Sequence, residues 1–534
     1  MSWAKKSFGF FQVTDEFSIF ECRKNPTCLE DLQNELFYEI FEYLDGFCLH
    51  NTFSKLNKRF QDLMKMSNLR LHFDFPSSNI DKQYKQFLLE NKRQIRSFSI
   101  ANIWMSQSVY PILNLFDQSF ERLKSIHLTT TSLNHHDLTS VYQIIFNVPS
   151  IKSSKISFEF NVTHVYRSNT RYPETRIQHL NMDHLIDLHD LKLICASTKQ
   201  LYRLDCRSLI DPIDDGMFTF PTNNLSSLTH LSIENCEISF ENFKNFIQII
   251  SPLSLKCLCL SLCSDINYLN AYQWEKLIVD YLPNLQIFHL TYEEYYDEQF
   301  ELNRNHIFAH KFTSSFWTRR QWFLGITLRV IDSSVTQINY TIRSYKETLT
   351  KNMPVSLTID DPCCLDWNEN TIGAIQLVSD YVPITYLNLD CVDIGAEHII
   401  RFLRSLSHLD SIKIFSFRTP MQVLDNFDSI ARSNHITKVH IERINRLEQV
   451  KFIFDLCLYL QYLEVECTSQ IDILSVLHIV SIQIINRTLS TLCIKSEQIN
   501  EKSIEAIPQS IENERLFETY EIQFRDKKMF IYFL

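Results

Sequence analysis

Apolar positions along this chain follow two rhythms. Over residues 29–66 the rhythm is helical. Leu36, Ile40 and Leu44 are spaced i, i+4, i+8 and so share one helical face. Phe47, Leu49, Phe53, Leu56, Phe60 and Leu63 carry the pattern through a short turn into further helix. A segment of about 40 residues buries too little surface to be stable alone, so it calls for a partner surface.

Farther along, a motif recurs instead. Leu228-Thr-His-Leu231-Ser-Ile233-Glu-Asn-Cys236-Glu-Ile238 has the form Leu-x-x-Leu-x-Leu-x-x-Cys-x-Leu with conservative swaps. Leu201/Leu204/Cys206, Leu255/Leu258/Leu260 and Leu285/Phe288/Leu290 repeat it about every 27–30 residues. Copies continue at Ile384/Leu387/Leu389, Leu409/Ile412/Ile414, Ile436/Val439/Ile441, Leu460/Leu463/Val465 and Leu489/Leu492/Ile494, with weaker ones from Ile95, Leu123 and Ile156. Each copy predicts a short strand and a helix. None can bury its apolar face alone, and stacking them makes a curved parallel sheet with outer helices.

Two stretches break the period. Residues 159–195 hold one repeat's worth of extra chain. Residues 291–380 form a larger interruption, expected to divide or kink the array. Within it, Trp322–Ile331 and Val335–Ile342 alternate at period two around Asp332-Ser-Ser, which predicts an antiparallel hairpin, and Val355-Ser-Leu-Thr-Ile predicts a further strand.

The order Leu32-x-x-Glu35-Leu36-x-x-x-Ile40-Phe41-x-x-Leu44, a turn, a second helix, then Leu56-Asn57-Lys58-Arg59-Phe60 resembles an F-box, and the recurring motif resembles the leucine-rich repeat. The resemblance implies an α/β protein. An N-terminal extension (1–28) would precede a three-helix F-box (29–66). A first leucine-rich-repeat block (67–290), a hairpin-containing insertion (291–380) and a second block with a C-terminal cap (381–534) would follow. It further implies a non-catalytic substrate receptor of an SCF-type cullin-RING ubiquitin ligase. Leu32, Glu35, Leu36, Ile40, Phe41, Leu44, Leu49, Phe53, Leu56 and Phe60 would dock the Skp-type adaptor, with Asn57 and Arg59 also matching the motif. The repeat solenoid would hold a target protein. Two positions depart from the pattern: Gln33 stands where the family usually has Pro, and Cys48 where it usually has Asp. They leave open a second reading, a repeat scaffold outside the ligase with a degenerate F-box.

Composition narrows the classes. Hydrophobics are 45% and charged residues 22%, which is globular. No apolar run reaches about 18 residues, and the stretch Phe8–Phe11 is too short for a secretory core, so a cytoplasmic or nuclear protein without membrane contact is expected. The 15 cysteines are irregularly spaced and read as reduced, buried hydrophobes. A net charge of −11 argues against nucleic acid as a partner. The 6 glycines are isolated, so no phosphate-cradling loop exists.

No catalytic or cofactor motif emerges. His179, His184 and His189 do not share a helical face at five-residue spacing, His135-His136-Asp137 lacks a zinc-type cysteine pair, and Cys363-Cys364 lacks a CxxC spacing. Neither a Gly-x-Ser-x-Gly elbow nor a His-Glu-x-x-His helix occurs. Candidate target contacts are the residues alternating with the buried column, which face the open side of a strand. They are His230, Ser232 and Glu234; Tyr386, Asn388 and Asp390; Ser411, Lys413 and Phe415; Lys438, His440 and Glu442; and Tyr462, Glu464 and Glu466. The C-terminal sets mix aromatics with both charge signs, which suits protein recognition.

Overall fold

The computed structural model describes residues 32–44, 46–53, 56–65, 71–75, 86, 88–103, 115–116, 119–130, 135–158, 172–212, 225–296, 304–331, 336–344, 355–361, 369–419, 427–484 and 488–534. The N-terminal extension (1–28), the turn at Asp332-Ser-Ser, and Cys363 and Cys364 lie outside them. The chain divides into two units, Met1–Phe73 and Asp74–Leu534.

The first unit holds the helices Asn34–Glu42, Gly46–Phe53 and Lys58–Lys65. Gln33 precedes the first in an extended conformation, φ −66° and ψ 152°, and its carbonyl accepts the Phe37 N–H. Tyr43 N–H and Leu44 N–H turn back to the carbonyls of Ile40 and Phe41, which tightens and ends that helix. Leu44 therefore lies beyond the helix, and the face begun by Leu36 and Ile40 is completed by Tyr43 instead. The Asn57 side chain accepts the Phe60 N–H at 3.1 Å and caps the third helix.

The second unit is mixed α/β, built on one long and mostly parallel sheet that has 18 strands among the described residues and does not close into a barrel. Parallel pairing runs in chain order from Ile95–Ile103 to Ile287–Tyr296. It resumes from Trp322–Val330 through Val355–Asp361 to Thr491–Ser496. Register sets the motif's apolar residues side by side. Leu204, Leu231, Leu258 and Phe288 form one column, and Leu387, Ile412, Val439, Leu463 and Leu492 another, all buried. Each such side chain contributes about 1.5–3 kcal/mol on burial, so the ladder of small gains holds the sheet together.

The two expected breaks fold differently from their reading. Within 159–195, His179–Asp187 is a strand in register between its neighbours and Leu188–Ser197 its helix, a further repeat in place of extra chain. Within 291–380, the sheet is neither divided nor ended. Trp322–Val330 runs parallel to the array one strand's width beyond Ile287–Tyr296, and Thr336–Ser344 folds back antiparallel into the gap, paired on both sides. Val355–Asp361 and the helix Glu369–Tyr381 then restore the repeat, so the second block begins before residue 381. Trp317 and Trp322 anchor the crossover, both buried against Phe288 at ring centroid distances of 5.7 and 5.5 Å. Both indoles are packing residues of the crossover.

At the other end, Lys528–Phe533 pairs antiparallel with Thr491–Ser496, and Tyr520–Arg525 pairs outside it. Asp526 and Lys527 take positive φ, 47° and 59°, as a tight hairpin turn requires. The outermost strand carries exposed Glu521 and Arg525, charges that discourage edge pairing with another chain.

Candidate functional site

In the first unit, the apolar residues separate into a core and an exposed face. Phe37 meets Phe60 edge-on at 4.9 Å, Phe41 meets Phe53 at 5.1 Å, and Phe53 meets Phe60 at 5.3 Å. Leu49 and Leu63 are buried too. Of the residues matched to adaptor contacts, Phe41, Leu49, Phe53 and Phe60 are thus corrected: they lie in the unit's own core and cannot reach a partner. Leu36 is 44% exposed, Ile40 38%, Leu56 55% and Tyr43 90%. Leu32 and Leu44 are half-buried, and Glu35 is exposed. Sequence reasoning missed Tyr43. The signal was its i+7 spacing from Leu36, visible only once the helix is seen to stop before Leu44.

Arg59 ties the unit's ends together. Its Nη2 donates to the Leu32 carbonyl at 2.6 Å and to Asn34 Oδ1 at 2.7 Å, and its Nε to the same Oδ1 at 3.1 Å. The guanidinium also lies 5.4 Å from the Phe37 ring centroid. The matched Arg and Asn57 therefore support the helices from within.

On the open face of the second unit's sheet, register aligns Asn388, Lys413, His440, Glu464 and Cys493 across adjacent strands. Lys413 Nζ lies 2.6 Å from Glu442 Oε1. Glu464 receives Lys528 Nζ at 2.7 Å and the Tyr462 hydroxyl at 2.9 Å, with His440 Nε2 at 4.0 Å. Burial pushes the Glu464 carboxyl up, but the Lys528 hydrogen bond and His440 outweigh it and hold the group below its usual range. Burial, aided by Lys413 and Lys528 and opposed by Glu464, lowers His440. Lys438 pairs with Asp410 at 3.6 Å, and Tyr386 lies in register with Ser411, which is buried. Asp390 stands apart, in register with Asp360, which takes Arg329 at 2.9 Å. Phe415 lies just past its strand, half-buried.

Nearer the chain's beginning, the same face carries a shallow cleft of about 520 Å³, lined by Lys155, Asn181, Asp183, Arg203, Asp205, Arg207, Ser232 and Glu234 among others. Asp183 organises it. It accepts the Ser157 hydroxyl at 2.8 Å and faces Lys155 Nζ at 3.9 Å and Arg207 Nη1 at 3.5 Å. Arg203 Nε contacts Asp205 at 2.7 Å. Asn181 and Asp183 sit on the strand His179–Asp187, inside the stretch expected to be extra chain, whereas Lys155, Arg203, Asp205 and Arg207 flank copies of the motif that the apolar pattern does show. The alternation of Leu180 and Met182 was the available signal.

No family model and no curated protein matches this chain. Among the described residues, no group of three or more His, Cys, Asp or Glu side chains could hold a metal ion. His184 and His189 are buried. The inner face offers paired charges and hydroxyls at half exposure, an arrangement that recognises polar surface.

Proposed function

We propose that this protein is a non-catalytic substrate receptor of an SCF-type cullin-RING ubiquitin ligase. In this reading residues 29–66 are an F-box and the strand–helix units are leucine-rich repeats. The observation that carries it is the division of labour in the first unit. Phe37, Phe41, Phe53 and Phe60 pack on one another, yet Leu36, Ile40, Tyr43 and Leu56 remain exposed. Burying what remains exposed of Leu36, Ile40 and Leu56, about half of each, gains about 1 kcal/mol apiece toward the cost of association with an adaptor. The open face of the long sheet, with its charged cleft and the Lys413, His440 and Glu464 row, would hold the target. Held there, the target's lysines are raised in effective concentration near the ligase's conjugating partner, which supplies the chemistry. No helix among the described residues is long and apolar enough to cross a membrane, which fits a receptor working in the cytoplasm or nucleus.

The test is capture of the Skp-type adaptor by full-length protein, with Leu36→Ala/Ile40→Ala as the comparison. Both side chains are exposed, so the double variant keeps its fold and loses capture if the reading is right. Well-folded native protein that captures no adaptor would leave a repeat scaffold with a degenerate F-box.

A further inference from the structure

In the cleft near the chain's beginning, register lines up Lys155, Asn181, Asp205 and Ser232 on four adjacent strands. Arg203 lies two residues before Asp205, on the same face. The carboxylates lie low and the cations stand above them. Asp183 and Asp205 are 30% and 22% exposed, whereas Lys155 and Arg203 are 44% and 52% exposed. Donors are left over. Lys155 Nζ sits 3.9 Å from Asp183, too far for a hydrogen bond, and Arg203 gives only its Nε to Asp205. Among the described residues, nothing accepts from the Arg203 Nη groups, the Asn181 amide or the Ser232 hydroxyl. Beside them the exposed Tyr202 ring stacks on His179 at 5.8 Å and leans on His230 at 5.6 Å. We propose that this cleft binds the side-chain carboxylate of an aspartate or glutamate in the target, held by Lys155 and Arg203.

This rests on the reading of the open face as the target surface, and names the class of residue recognised there. A guanidinium with its Nη groups open takes a carboxylate through paired, charge-assisted hydrogen bonds. One negative charge fits the cleft better than two, because Asp183 and Asp205 remain in its floor. A phosphate group carries about −1.5 to −2 at pH 7 and meets those carboxylates with nearly twice the repulsion. A polynucleotide meets the same repulsion through its phosphates. Exposed Tyr beside Arg is the composition of a protein-binding hot spot, and the ring offers a flat surface to the residue next to the bound carboxylate. Glu234, the third carboxylate of the lining, is exposed on the strand His230–Glu237. It repels a second acid on that side.

The test titrates full-length protein into fluorescein-labelled hexaglutamate and hexaglutamine at pH 7 and about 0.15 M salt, and reads anisotropy. Hexaglutamate should bind at least about tenfold more tightly. Lys155→Ala and Arg203→Ala should each weaken it about tenfold, the loss expected for a charged hydrogen bond. Glu234→Gln should tighten it about threefold by removing a like charge. Lys276→Ala removes the same charge from the outer helix Ala271–Tyr281 and should change affinity by less than about twofold. All four side chains are exposed or half-exposed, so the variants fold, and thermal melting checks that they do.

Equal affinity for the two peptides, or a loss in Lys276→Ala as large as in Arg203→Ala, would overturn the proposal. So would Glu234→Gln without a gain, or tighter binding of a phosphoserine hexapeptide or of hexauridylate. No adaptor takes part in these titrations. Peptide binding without adaptor capture therefore strikes only the proposed ligase role, and adaptor capture without a preference for glutamate strikes only the assignment of the cleft.

Discussion

Glu294 stands opposite Ile338 in the antiparallel ladder, a carboxyl in a column otherwise built of hydrocarbon. The same column continues through Leu328, Ile359, Leu389 and Ile414. The Glu294 side chain is buried and accepts the Tyr292 hydroxyl at 3.2 Å. Burial raises its pKa from 4.5 to about 7, against the lowering effect of that hydrogen bond.

Glu294 makes the fold less stable as pH rises. Below about 4.5 both folded and unfolded chains hold the proton, and no penalty exists. Between 4.5 and about 7 the unfolded chain ionises first, so stability falls, and above that the loss is constant. Its full size is about 3 kcal/mol. Glu294→Gln keeps the shape and removes the charge, so urea unfolding at pH 8 should show the variant more stable by up to that amount, with the gain gone at pH 4.5. Equal stability at both pH values would mean that the carboxyl is solvated in the folded chain.

His184 acts with the opposite sign. It is buried, its Nε2 lies 2.8 Å from the Tyr142 hydroxyl and its Nδ1 2.9 Å from the Leu185 carbonyl. In the neutral ring Nδ1–H donates to the carbonyl and Nε2 accepts from Tyr142. Burial lowers its pKa from 6.5 to about 4. As pH falls from 6.5 to 4 the unfolded chain gains the proton first, and about 3 kcal/mol of stability is lost. The two buried groups therefore offset each other over nearly the same range. In the Glu294→Gln background, unfolding measured from pH 7 to pH 4 should reveal the acid loss that the native chain masks. His184→Phe in that background should flatten the curve, while leaving the Tyr142 hydroxyl buried without its acceptor at a cost of about 1–3 kcal/mol at every pH.

Gln33 already holds the backbone that a proline would impose, with φ −66°. Gln33→Pro should stabilise the first unit by about 0.4–1 kcal/mol, because it restricts the unfolded chain and leaves the folded backbone unchanged. Hydrogen exchange of the amides in Asn34–Glu42 would slow by about two- to fivefold. Faster exchange would show that the ring clashes with the preceding residue.

The pattern of apolar residues was enough to predict strands at Leu201–Cys206, Leu228–Cys236 and Leu255–Leu260, and the antiparallel hairpin from Trp322, because buried strands announce themselves by alternation and by period. The same local signal failed at His179–Asp187, where the period is disturbed by long polar chain before it. It failed again at Leu44, since where a helix stops depends on which carbonyls the next amides find. The F-box resemblance implied a docking surface at Phe41, Leu49, Phe53 and Phe60, whereas the structure buries them. An apolar residue looks the same in sequence whether it faces its own core or a partner. Likewise only tertiary structure places Thr336–Ser344 in the gap between Ile287–Tyr296 and Trp322–Val330, and gathers Lys155, Asp183 and Arg207 into one cleft. Sequence determined the elements, because periodicity is a property of neighbouring residues. Surfaces were decided by the fold, because they depend on register between strands far apart in the chain.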